Sequence, residues 1–329
     1  MRLRPATLVV IFALGLLAAP LPAEAQKAGK VYRIGYLMNG SRPGSSATRF
    51  PESMRELGYI EKQNILIERR LAKGKLDRLP ELAAELVALK VDILITLGVA
   101  PTRAAKEATN TIPIVMANAS DDPVRQGLVA SLARPGGNIT GFIDASEELA
   151  AKMLELLKEV VPKLSRVAIL WQTESPAGIA HFKKAEAAAR VLGLQLQSLE
   201  VLRPDDLENA FRAATTGRAE ALYMAMFGGV FRSHRAGVLA LEVTTRLPAI
   251  YTSPRFVRAG GLMSYSHDRV EQYRRVAHYV DKILKGADPG VLPVERPTKF
   301  NLIINLKTAK QLGITIPPNV LYRATKVIK

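Results

Sequence analysis

Hydrophobic positions along this chain alternate between two periods. The runs 31–37, 64–71, 91–97 and 112–117 are dense in Val, Ile, Leu and Tyr and predict strands. Between them, the stretch ending at Leu57 and the stretches 76–89 and 101–108 repeat apolar residues at helical spacing, and Gly58 reads as a helix C-cap. This first block is β-α-β-α-β-α-β. A helix over 124–132 and the turn-rich Arg134-Pro-Gly-Gly-Asn138 then lead into a crossing strand at 139–142. After a helix over 147–160 the alternation restarts. Strands are expected at 166–171, 195–201, 219–225 and 248–251, with helices at 177–192, 205–214 and 232–246. The tail adds a second crossing strand at 261–265, a helix at 269–284, a strand at 299–305 and a short helix ending near Gly313.

Strands that alternate with helices form parallel sheets covered on both faces. The fold class is therefore α/β, with two doubly wound parallel-sheet lobes joined by crossing hinge strands. The first lobe takes 26–141 plus part of the C-terminal region, and the second takes 142–260. Residues 261–329 supply crossing segments and closing helices shared between them. In open sheets of this kind a ligand sits beyond the carboxyl ends of the strands. That rule selects the loops 38–46, 98–102, 118–123, 172–176, 226–232 and 252–255 for inspection.

The N-terminus changes where this fold is expected to work. Arg2 and Arg4 precede an uncharged apolar run over 6–19, Pro20 and Pro22 follow, and Ala23-Glu-Ala25 offers small residues at a cleavage point. The run is shorter than the ~20 residues that span a bilayer. A signal peptide over 1–25, cut after Ala25, is the expectation, with the released chain periplasmic. The chain has no cysteine, so neither a lipid-anchored cysteine nor a disulfide holds it, and the fold rests on its core. The formal charge is +16. The basic residues are dispersed and no nucleic-acid-binding motif accompanies them, so a solvated basic surface is favoured. Attraction to an anionic bilayer face or partner is the alternative.

Several loop residues carry candidate chemistry. Gly98, Val99 and Thr102 lie where a strand passes into a helix whose free N–H groups suit a carboxylate, and Thr102 brings a hydroxyl. Asn39 and Ser41 follow the first strand, and Asn118 follows the fourth. Asp121 and Asp122 either hold a ligand ammonium or cap the helix expected after them. Tyr36, Tyr251 and Tyr265 lie at or near strand ends and Phe227 in a loop, where an aromatic ring stacks on a planar ligand or packs at the sheet edge. Glu174 can pair with an ammonium, and Asp268 either caps the last long helix or reaches the hinge. The four histidines are scattered and lack metal-ligand spacing, and neither a G-x-S-x-G elbow nor a P-loop occurs. An enzyme, a metal site and a resident cofactor are not expected.

Longer motifs carry a family likeness. Ile112-Pro-Ile-Val-Met116, Asp122-Pro-Val124, Gly127-Leu-Val-Ala-Ser-Leu132 and Arg134-Pro-Gly-Gly-Asn-Ile-Thr-Gly141 resemble one family. So do Gly260-Gly-Leu-Met-Ser-Tyr265, Tyr279-Val-Asp-Lys-Ile-Leu-Lys-Gly286, Leu292-Pro-Val-Glu-Arg-Pro-Thr-Lys-Phe300 and Asn305-Leu-Lys-Thr-Ala-Lys-Gln-Leu-Gly-Ile-Thr-Ile-Pro-Pro318. These are similar to the ABC-transporter substrate-binding proteins of the tryptophan/tyrosine-uptake type. The resemblance implies a type I periplasmic-binding fold and a small-molecule ligand held between the lobes. It also implies delivery to an inner-membrane permease with its ATPase. Related aromatic-amino-acid binders carry an acidic residue and an Asn in the second-lobe loop that here reads Met226-Phe-Gly-Gly-Val230. A monomeric receptor for an amino acid or an aromatic or carboxylate compound, with no nucleic-acid partner, is the expectation. A sensor that presents its ligand to a signalling partner is the alternative.

Overall fold

The computed structural model describes residues 30–40, 46–119, 122–143, 146–173, 176–225 and 229–329. The expected leader lies outside these residues, as do the candidates Ser41, Asp121, Glu174 and Phe227.

Two sheets organise the chain. The first contains Tyr32–Met38 (β1), Ile65–Leu71 (β2), Ile93–Leu97 (β3), Ile114–Ala119 (β4), Ile139–Ile143 (β5) and the two-residue Val294–Glu295 (β11). Its order is β11-β5-β4-β3-β1-β2, and every pair is parallel. The second contains Arg166–Trp171 (β6), Gln195–Glu200 (β7), Ala221–Met224 (β8), Ala249–Tyr251 (β9), Met263–His267 (β10), Phe300–Asn305 (β12) and Lys326–Ile328 (β13). Its order is β13-β12-β10-β9-β8-β6-β7. The runs β2-β1-β3-β4-β5 and β7-β6-β8-β9-β10 are the same winding twice, the repeat that the alternating periods imply. The second sheet is not wholly parallel. β12 runs antiparallel to β10, and β13 follows β12.

Each sheet is covered on both faces, which is why its inner strands read as near-continuous apolar runs while the edge strands β2 and β7 mix in charged and polar residues. Leu79–Ala88 (α2) and Val99–Ala108 (α3) cover one face of the first sheet through Leu82, Leu86, Leu94 and Met116. Ser46–Glu56 (α1) and Arg269–Leu284 (α10) cover the other through Phe50, Ile95 and Val276. On the second sheet Ser146–Val160 (α4) and Pro176–Val191 (α5) pack over Ile169, Tyr223 and Ile304. Asp206–Thr216 (α6), Gly229–Ser233 (α7), Arg235–Thr245 (α8) and Pro254–Val257 (α9) pack on its opposite face over Leu170, Leu222 and Tyr251. Leu306–Leu312 (α11) and Pro318–Tyr322 (α12) close the chain.

The helix expected over 124–132 is a series of turns. Gly127 adopts φ 65°, a left-handed backbone that ends helical propagation, and Leu128 N–H instead reaches back to the Pro123 carbonyl at 2.8 Å. The helix expected over 232–246 is broken at His234. The α10 boundary was legible because Asp268 caps it, its Oδ1 accepting from the amides of Val270 and Glu271 at 2.8 and 3.2 Å.

The chain passes between the sheets three times. It crosses from β5 to α4 between Ile143 and Ser146, from β10 to α10 through Asp268, and from β11 to β12 through residues 296–299. Every crossing leaves a carboxyl end of a parallel strand, and four residues reach at most ~14 Å. Links this short hold the carboxyl edges of the two sheets face to face. The strands at 139–142 and 261–265 are therefore ordinary sheet members, and the crossings lie just beyond them.

Candidate functional site

The carboxyl edge of the first sheet is built around Gly98. Met38 stands beside Leu97 and Leu97 beside Asn118 across β1, β3 and β4, so Asn39, Gly98 and Asn118 share one edge. Gly98 adopts φ 98°, which favours glycine, and donates its N–H to the Asn118 carbonyl at 2.7 Å. The chain enters α3 at the next residue, so the amides of Val99 and Ala100 have no acceptor within the helix. They present positive partial charge beyond the sheet edge. Thr102 does not join them. It is fully buried, and its hydroxyl bonds to Thr96 Oγ1 at 2.7 Å and donates to the Gly98 carbonyl at 2.8 Å. Its role is to hold the turn, because a threonine one turn into a helix reaches the carbonyl four residues back.

Two amides flank this turn. Asn39 Oδ1 and Asn118 Oδ1 are buried and have no hydrogen-bond partner. Their backbone carbonyls are occupied, by the Gly74 amide at 2.7 Å and by the Gly98 amide. A buried amide oxygen left unpaired costs about 1–3 kcal/mol. Two of them on one edge is an arrangement that a bound polar group completes.

The facing edge of the second sheet contributes Gln172, the residue after β6, which is 4% exposed and whose Oε1 is also buried without a partner. Its loop was selected from the sequence, but a lone glutamine after a strand carries no motif, and only the orphaned oxygen singles it out. Among the described residues there is no group of three or more His, Asp or Glu that could hold a metal ion.

The described aromatic candidates, Tyr36, Tyr251 and Tyr265, pack on the sheet faces instead. Tyr36 is 2% exposed and packs against Phe50 under α1 and α10, with ring centroids 5.9 Å apart. Tyr251 is fully buried, stacks on Phe256 at 5.0 Å and donates its hydroxyl to the buried Glu242 on α8. Burial raises the Glu242 carboxyl to about 7, opposed by the bonds from Tyr251 and the Leu262 backbone. Tyr265 is half-buried and stacks on Phe300 at 5.4 Å, and burial raises its hydroxyl. In each case packing on a covered sheet face decides the ring position. The exposed Asp122 accepts from the amides of Val124 and Arg125 at 2.9 and 3.4 Å, so it caps a turn rather than a helix. Asp268 caps α10, and its amide donates to the Lys299 carbonyl at 2.9 Å, tying cap to hinge.

Ion pairs line the hinge itself. Arg275 pairs with Glu295 and lies over the Phe142 ring, its Cζ 5.4 Å from the centroid. Arg296 meets Glu148 of α4 at 3.1 Å, and Lys299 meets Glu271 of α10 at 3.4 Å. A small recess opens among Phe142, Gln272, Arg275 and Thr298. It lies behind the crossings rather than between the strand edges. Gln272, which lines it, donates to the Ala117 carbonyl at 2.8 Å and so couples α10 to β4, the strand that contains Asn118.

Comparison with known proteins agrees with this architecture. A family profile described as ABC transporter substrate binding protein matches residues 43–328. A tyrosine-binding protein of Clostridioides difficile is 25% identical over 265 residues, which cover 80% of this chain and 75% of the relative. A solved conserved domain protein from Vibrio cholerae superposes with a TM-score of 0.77 at 27% identity, covering 91% of this chain and all of that one. A solved ABC domain from Streptococcus pneumoniae in complex with L-Trp gives a TM-score of 0.74 at 25% identity, covering 90% and 99% of the two chains.

Proposed function

The chain belongs to the ABC transporter substrate-binding protein family, and from that premise we propose that it is a periplasmic receptor for an amino acid or an aromatic carboxylate. The reading rests on one observation above the others. Two buried, unpartnered amide oxygens, Asn39 Oδ1 and Asn118 Oδ1, flank the free helix-start amides of Val99 and Ala100. A carboxylate fits the amides and the positive end of α3. An ammonium or another N–H donor fits the asparagine oxygens. The relatives named as binding tyrosine and L-Trp have both groups on one small molecule.

The solute bridges the two edges, with Gln172 answering from the second sheet. Closure about the crossings at 268 and 296–299 then buries it. The free energy for closure comes from the solute's greater affinity for the closed state. The closed form is the one that docks on a membrane permease driven by an ATPase. The receptor works as a monomer, holds no cofactor and performs no chemistry on its solute. Export follows from a leader over 1–25.

A thermal-shift screen of amino acids, small carboxylates and nucleosides tests this. A solute at a hundred times its Kd stabilises the native state by about 2.7 kcal/mol, a readily measured rise in Tm. A folded protein that no member of the panel stabilises would contradict the proposal.

A further inference from the structure

The second sheet has another edge, at the opposite ends of its strands from the carboxyl edge, and it is strongly basic. Arg166 opens β6, Arg218 and Arg246 precede β8 and β9, Arg258 precedes β10, and Lys307 follows β12. Lys163 adds a second cation before β6. These strands are consecutive neighbours in the sheet. At a strand spacing of ~4.8 Å the cations form a file ~19 Å long. All but Arg166 are exposed, and none of the six is in an ion pair among the described residues. Arg166 Nε donates to the Arg218 backbone carbonyl at 3.0 Å, which ties the start of β6 to the turn before β8. Glu220 is the one acid in the loops at these strand ends, and its carboxylate is occupied by the amides of Ser165 and Arg166. No acid occurs anywhere from 299 to 329.

Local structure accounts for only part of this pattern. Lys163, Arg218 and Arg246 adopt φ of 62°, 55° and 53°, a left-handed backbone that glycine takes with less strain. A cation after a helix is favoured by the helix dipole, which suits those three and Arg258, the C-cap of α9. Lys307 contradicts that explanation, because it lies in the first turn of α11, where the dipole disfavours positive charge.

We infer that this basic edge of the second sheet is a docking surface for an anionic phospholipid bilayer. Protein interfaces concentrate aromatic and apolar side chains at their centre, and single-stranded nucleic acids need stacking rings. None of the exposed large apolar side chains lies in the loops that form this edge. A fluid anionic surface needs only dispersed positive charge within a Debye length. Bound this way, the protein keeps its carboxyl edges turned from the membrane and open to solutes. The inference is independent of which solute binds there.

The test is vesicle sedimentation with the protein as an exporting host releases it. Vesicles of phosphatidylglycerol mixed with phosphatidylcholine are compared with vesicles of phosphatidylcholine alone. The wild type should bind only the anionic vesicles, and added salt should release it. The triple variant Arg218→Gln, Arg246→Gln, Arg258→Gln should lose about 100-fold in partitioning, roughly fivefold per charge. A control triple of equal net charge, Lys62→Gln, Lys75→Gln, Lys90→Gln on the first lobe, should bind as the wild type does. Trp171 fluorescence and solute-induced Tm shifts confirm that both variants are folded. Equal loss in the two triples would mean that net charge alone acts and would overturn the inference. Absence of wild-type binding, or stronger binding to an oligonucleotide than to anionic vesicles, would overturn it as well.

Discussion

Replacing Glu242 with Gln should reshape how stability depends on pH. The Glu242 carboxyl is 2% exposed on α8, and burial raises it from 4.5 to about 7. Between those values the native chain keeps a proton that the unfolded chain has released. Stability is therefore fullest below pH 4.5 and falls as pH rises, by about 1.4 kcal/mol per unit where the slope is steepest and by about 3 kcal/mol across the window. His181 on α5 acts in the opposite sense. It is fully buried with Nε2 2.6 Å from the Tyr223 hydroxyl, and desolvation, aided by Lys184, lowers it from 6.5 to about 3. Here the unfolded chain holds the extra proton, so stability is complete above pH 6.5 and is lost as pH falls toward 3. Between pH 4.5 and 6.5 the two slopes cancel, and the wild type should be nearly flat. Glu242→Gln leaves the His181 slope alone, so the variant should gain about 1.4 kcal/mol per unit as pH rises through that interval. Urea titrations followed by the fluorescence of Trp171, the single tryptophan and a residue of the same sheet, give the comparison. Parallel profiles for wild type and variant would refute the reasoning.

Other consequences follow from the first sheet. Asn118→Ala or Asn39→Ala should weaken solute binding about tenfold each in calorimetric titration, since each removes one hydrogen bond worth about 1.4 kcal/mol to the bound state. Neither should lower the Tm of the solute-free protein, because the oxygen lost has no partner there. Gly98→Ala places a side chain at φ 98°, and should cost about 1–3 kcal/mol in chemical denaturation and lower affinity through the displaced Asn118 contact. Gly141→Ala is more severe. A Cβ there would stand 2.2 Å from the Met116 carbonyl oxygen, in backbone that has no room to yield where β4 slips register. Loss of more than about 4 kcal/mol, seen as failure to fold or a collapsed Tm, is expected.

Much of the fold was legible because both sheets are covered on both faces. The inner strands β1, β3 and β6 are apolar at consecutive buried positions, and α10 combines helical periodicity with a capping aspartate. The missed pieces are β11, β13, α9 and α12, of two, three, four and five residues, which are too short to show a period. The two strands form by tertiary pairing, β11 with β5 and β13 with β12, rather than from local pattern. Residues 124–132 misled because Leu128, Val129 and Leu132 suggest a helix face while Gly127 breaks the backbone beneath it. At the site, the positional rule for strand ends found Gly98, Asn39 and Asn118 together. It failed for Tyr36 and Tyr251, because an aromatic near a strand end packs onto whichever face a helix covers, and alternation alone does not show that both faces are covered. Gln172 carried no sequence signal beyond its place after β6.

The most direct test of the central claim is a crystal structure of the protein with the solute that raises its Tm most. The solute should lie between the two carboxyl edges, with its carboxylate on the amides of Val99 and Ala100 and hydrogen bonds to Asn39 and Asn118, and the sheets closed over it. A solute held in the hinge recess beside Arg275, with Asn39 and Asn118 still unengaged, would contradict the account.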